Sequence, residues 1–183
     1  MKYQRFAISV IGFWLMFSFF HVNCYAQTQA MKNNEELKRA CINAAIQGIK
    51  LEIKRNRGWL EHADKDKTKD IENRIKQLEN ESVKYETMNI DKYEIPSKLE
   101  KEVWFEGPCN ENSILYFDGM SRSGPWYHVT GIRGNDYKIF KPKNRYRFSF
   151  YLVYPREYGN MTSYYVYIDQ FKETSTPQAT RKK

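Results

Sequence analysis

Apolar and polar positions alternate most regularly between residues 145 and 154, where Tyr146, Phe148, Phe150, Leu152 and Tyr154 share one parity and Arg145, Arg147, Ser149, Tyr151 and Val153 the other. A period of two in an aromatic-rich run predicts a half-buried β-strand with the first set facing the core. Shorter runs of the same kind occupy 102–106, 113–118, 126–132, 137–140 and 163–169, each bounded by Gly, Pro, Asn or Asp. Turn signals at that spacing predict an antiparallel β domain over 102–171, of about six or seven strands. If Tyr164, Val166 and Ile168 face inward, Tyr165 and Tyr167 join Tyr151 on the opposite face.

Upstream the period changes. Leu37, Cys41, Ala44, Gly48 and Leu51 recur at helical steps, flanked by Ile42, Ile46, Ile49 and Ile53, so this helix is expected to be covered on more than one side. Asn33 or Asn34 is a suitable cap, with Glu35 and Glu36 in the first turn. A second helix over about 68–89 carries only the narrow seam Ile71, Ile75, Leu78 and Tyr85 and is expected to be mostly exposed. The charged stretch 62–69 between them predicts an antiparallel helical hairpin over 33–89. Residues 90–101 form a linker, in which Pro96 disfavours helix. The fold class is therefore α+β: an N-terminal antiparallel helical hairpin followed by a small antiparallel β-sandwich, immunoglobulin-like or related. The stretch 172–183, rich in Ser, Thr, Pro and cations, reads as a disordered basic tail.

The first residues change the expected compartment. Lys2 and Arg5 precede an apolar run from Ala7 to Val22, and Ala26 offers a small residue for cleavage. This is the pattern of a signal peptide over 1–26, followed by a flexible leader over 27–32. The run is short for a bilayer span, leaving an uncleaved anchor as the alternative. Cys24 is a second possible membrane attachment, through a lipid, although His21, Val22 and Asn23 are poor neighbours for it. Otherwise no membrane contact is expected. Export places the protein in the periplasm, at the cell surface or in the medium.

Composition and charge narrow the partners. The formal charge is +8. In an exported chain that favours a solvated basic surface or an anionic envelope polymer over nucleic acid, which is not expected as a partner. With Cys24 removed, Cys41 and Cys109 are the cysteines left, and an oxidising compartment makes them a disulfide candidate.

Candidate chemistry is sparse. No nucleophile elbow, His-Glu-x-x-His, phosphate-binding glycine loop or Cys-x-x-Cys is present. Asp64, Asp66 and Asp70 lack the glycine and spacing of a calcium loop, so neither metal nor cofactor is expected. Asn80-Glu-Ser82 and Asn160-Met-Thr162 match the N-glycosylation pattern, which matters only in a eukaryotic secretory route. The aromatics say more: 4 Trp, 14 Tyr and 11 Phe are more than one small core needs. Arg122, Trp126, Tyr151, Tyr158, Tyr165 and Tyr167 are the candidate binding residues, of types that anchor interfaces. The expected function is non-enzymatic: an envelope binding protein or accessory subunit that docks a protein partner, or stacks a glycan, through its aromatic β domain. The alternative is a secreted hydrolase or inhibitor acting on polysaccharide or protein. Its sign would be Glu102, Glu106 and Asp118 gathered with His128 in an acid-lined cleft.

Overall fold

The computed structural model describes residues 2–117, 125–158 and 161–175, with side chains described over 29–117, 125–156 and 162–174. The chain divides into two units, Met1–Leu37 and Lys38–Lys183. Helix α1, Lys2–Leu60, forms the described backbone of the first unit and continues into the second. The expected helix start at Asn33 or Asn34 is therefore not a break, and both residues lie within α1. The side chains of the proposed signal peptide, Cys24 included, lie outside the described residues. Among those described, no helix is long and apolar enough to cross a membrane.

Within the second unit, α1 and α2 (Lys65–Glu86) form the expected hairpin. Lys50 pairs with Glu86 at 3.4 Å and Arg57 with Glu79 at 2.7 Å, so the helices run antiparallel. The apolar face of α1 is broad, as the sequence predicts: Cys41, Ile42, Ala45, Ile46, Ile49 and Ile53 are all buried. On α2 only Ile75, Leu78 and Ser82 are buried; of the expected seam, Ile71 and Tyr85 are half-buried, and Ser82 is buried in addition.

Among the described residues, the rest of the unit carries a four-stranded sheet of order β1-β3-β4-β2, built from β1 (Lys98–Val103), β2 (Trp126–Ile132), β3 (Arg145–Tyr158) and β4 (Met161–Ser175). β1 and β4 each pair antiparallel with β3, but β2 runs parallel to β4. The α+β class holds, while one mixed sheet stands where an antiparallel sandwich was expected. The segment 113–118 contributes only isolated bridges, Trp104 with Tyr116 and Ile114 with His128, and 137–139 is a 3-10 turn. Among the described residues there is no second sheet; helices cover one face and irregular chain covers the other. Phe105 and Phe140 lie against Phe148 on that second face, with ring centroids 5.9 and 5.1 Å away. Burying each large apolar side chain there contributes about 1.5–3 kcal/mol, so this aromatic core dominates the β half. β4 continues to Ser175, into the expected tail, and 176–183 lie outside the described residues.

Breaks in register decide which side chains meet the helices. Leu152 lies opposite Val166 and Tyr154 opposite Tyr165, so Val153 is an extra residue in β3. A bulge of this kind shifts the parity of everything after it. Tyr154, expected beside Phe150 and Leu152, instead stacks on Tyr165 with centroids 6.2 Å apart. Arg156 follows it onto the helix-covered face.

Cys41 and Cys109 are both free and buried, which corrects the disulfide candidate. Cys41 lies on α1 near Asp169 and Tyr93, whereas Cys109 belongs to the aromatic core on the other face of the sheet. Burial pushes both thiols up to about 12. Iodoacetamide at pH 8 is therefore expected to leave Cys41 and Cys109 unmodified in the native protein and to alkylate both after denaturation. Peptide mapping checks this, and a Cys41–Cys109 cross-linked peptide would contradict it.

Candidate functional site

Two polar assemblies stand out, one sealed and one open. The sealed one is centred on Glu52, which α1 places against the sheet one turn beyond Gly48. Gly48 permits the approach: a Cβ built there would lie 2.6 Å from Cγ of Tyr165. Glu52 Oε1 accepts from the Tyr165 hydroxyl at 2.5 Å and pairs with Arg55 at 2.9 Å and Arg156 Nε at 2.8 Å. The Glu52 and Arg156 side chains are only 5% and 13% exposed. Nearby, the Tyr154 hydroxyl donates to Glu81 of α2. The sheet is thus tied to both helices by tyrosine hydroxyls on carboxylates. Burial and the acceptor carboxylates hold both phenols well above their usual range.

His128 borders this assembly, its ring 5.5 Å from that of Tyr165. Burial, then the Arg156 and Arg55 charges, push its imidazole down to about 4, against a weaker opposing hydrogen bond with the Asn112 backbone. His128 is therefore neutral at pH 7 and closed to substrate. In the unfolded chain it titrates near its ordinary value of 6.5. As pH falls from 6.5 toward 4 the unfolded state takes up a proton that the native state refuses, so stability falls over that window. Urea titrations at successive pH values are expected to show this fall, and His128→Gln to flatten it. An unchanged slope in the variant would contradict the assignment.

The expected aromatic surface is largely inside the protein. Tyr151, Tyr165 and Tyr167 do lie opposite the main aromatic core, but they are 8%, 0% and 7% exposed. The helices that the sequence placed in a separate domain cover them. Trp126 is half-buried, and its Nε1 has no hydrogen-bond partner among the described residues. Arg122 and the side chain of Tyr158 lie outside the described residues. The acids of the hydrolase reading are not gathered. Glu102 lies on edge strand β1, where it accepts from Thr174 at 2.9 Å, while His128 lies on β2, the opposite edge. Glu106 is exposed, and Asp118 lies outside the described residues. Among the described residues, no three His, Cys, Asp or Glu side chains are placed to hold a metal ion.

The open assembly is a cleft of about 980 Å³ between α1 and the end of β2. Ala40, Asn43, Ala44 and Gln47 give one wall at helical spacing, with Lys50 and Glu86 beyond them. Thr130, Gly131 and Ile132 supply strand backbone, and the chain at 109–111 and 134–138 closes the far side. Gly131 brings the strand close to the helix, since a Cβ there would lie 3.0 Å from that of Ala44. The turn beyond β2 depends on positive φ at Gly134 (81°) and Asn135 (54°), which presents Asn135, Asp136 and Tyr137 to the cleft. Glu86 is held by Lys50, and an Asp136 oxygen caps the next turn by accepting from the Lys138 N–H at 3.0 Å. Among the described residues that line this cleft, no nucleophile is paired with a base. Sequence reasoning missed it because its walls come from three distant segments. Glu52 did leave a signal: a lone acid on an otherwise apolar helix face.

Compared with known proteins, the chain matches no family model, no curated protein and no solved structure.

Proposed function

We propose that this chain is an exported, non-enzymatic protein of the cell envelope that works by binding, as a recognition module or accessory subunit, and that it binds in the cleft between α1 and the end of β2. The observation that carries this reading is the cleft lining: carboxamides, small residues and strand backbone, with Glu86 and Asp136 already engaged. The aromatic face is spent on packing the helices, whereas the cleft is an open concave surface. The N-terminal run from Lys2 to Ala26 supports export. The β1 edge, with Lys98, Glu100, Lys101 and Glu102, carries the alternating charges that discourage strand addition, so edge docking is not favoured there.

The test is to express the full chain with its N-terminal segment, fractionate the cells, and measure the intact mass of the recovered protein. The reading expects an extracytoplasmic product that begins at Gln27 and shows no turnover on polysaccharide or peptide substrates. Cytoplasmic retention of residues 1–26, or measurable turnover, would overturn it.

A further inference from the structure

We infer that the cleft takes a neutral, hydroxyl-rich ligand, an uncharged oligosaccharide; this rests on the cleft being the working surface. Asn43 and Gln47 are exposed on the helical wall, and neither carboxamide is engaged by another side chain among the described residues. Asn110 and Asn135 face them across the cleft. A carboxamide both donates and accepts, as a sugar hydroxyl does, so such pairs satisfy one another in either sense. The half-buried ring of Tyr137 adds an apolar surface of the kind that packs against a sugar's C–H face.

The charges argue against the other ligand classes. Lys50 is offset by Glu86, and the rest of the lining sets Lys138 against Glu111 and Asp136, so the lining has no surplus of positive charge despite the basic chain. An anionic polymer would gain little there. An extended peptide adding to β2 would find most of the edge taken, because Leu115 N–H donates to Tyr127 O at 2.9 Å and Val129 N–H to Ser113 O at 2.8 Å.

Calorimetry on the exported protein tests this with chitotetraose, maltotetraose, polyphosphate and an uncharged extended peptide. At least one oligosaccharide is expected to bind saturably, and the Asn43→Ala/Gln47→Ala double variant to lose roughly tenfold in affinity. Val83→Ser, an exposed change outside the cleft on α2, is expected to leave affinity unchanged. A thermal melt confirms that both variants fold. Saturable binding of polyphosphate or peptide alone, weakened by the double variant, would overturn the sugar assignment and leave the binding reading intact. Binding of none of the four would also overturn the sugar assignment. Cleavage of either oligosaccharide would overturn the binding reading itself.

Discussion

Replacing Glu52 with leucine is expected to destabilise the protein by about 3–5 kcal/mol, the usual cost of leaving a buried ionic partner uncompensated. Arg156, 13% exposed on its side chain, would lose its 2.8 Å pairing with Glu52, and the Tyr165 hydroxyl would lose its acceptor. Arg55, at 26%, can turn toward water and adds less. Adding Arg156→Met should recover part of the loss, because an apolar chain of similar length needs no counter-charge. Urea denaturation of the single and double variants measures both effects. A loss below about 1 kcal/mol for Glu52→Leu would place the cluster among weak surface pairs and refute its role as the tie between α1 and the sheet.

The second large effect is a pair of identical substitutions with opposite signs. Alanine is favoured over glycine inside a helix by about 1 kcal/mol, so both Gly48→Ala and Gly58→Ala gain on propensity. At Gly58 a new Cβ meets nothing within 4 Å, and a gain of about 0.5–1 kcal/mol should be realised. At Gly48 it would lie 2.6, 2.8 and 2.9 Å from atoms of Tyr165. That ring cannot retreat: it is fully buried, stacked on Tyr154 and anchored through its hydroxyl to Glu52. Overpacking of about 1–3 kcal/mol outweighs the propensity gain of about 1 kcal/mol, leaving a net loss of up to about 2 kcal/mol. Thermal melts of the two variants suffice as a check, and a stabilised Gly48→Ala would mean that α1 does not pack on Tyr165 at this distance.

The sequence revealed local structure better than assembly. The helical hairpin, β2 at 126–132 and the long strand from Arg145 were legible because each satisfies one period over a long enough run. The pairing of β2 parallel to β4 was not, since alternation marks the faces of a strand but not its neighbours. The extra residue at Val153 broke the parity that assigned Tyr154 to the core and sent Arg156 to Glu52. Alternation puts Tyr165 and Tyr167 on the correct side of the sheet but reads them as solvent-facing, because it carries no information on the packing of the helices against that face. The segments 113–118 and 137–140 have strand composition but serve as edge cover and turn. For the site, the individual letters Asn43, Gln47 and Asn135 carry no signal until the fold brings them together.

Hydroxyl-radical footprinting of the protein, free and in the presence of saturating oligosaccharide, tests most directly whether the proposed recognition occurs in the cleft and not on the aromatic face of the sheet. The prediction is that Tyr151, Tyr165 and Tyr167 are protected in both states, while Tyr137 and Lys138 lose reactivity when ligand is added. Reactive Tyr165 and Tyr167 in the free protein, becoming protected only on binding, would contradict the account.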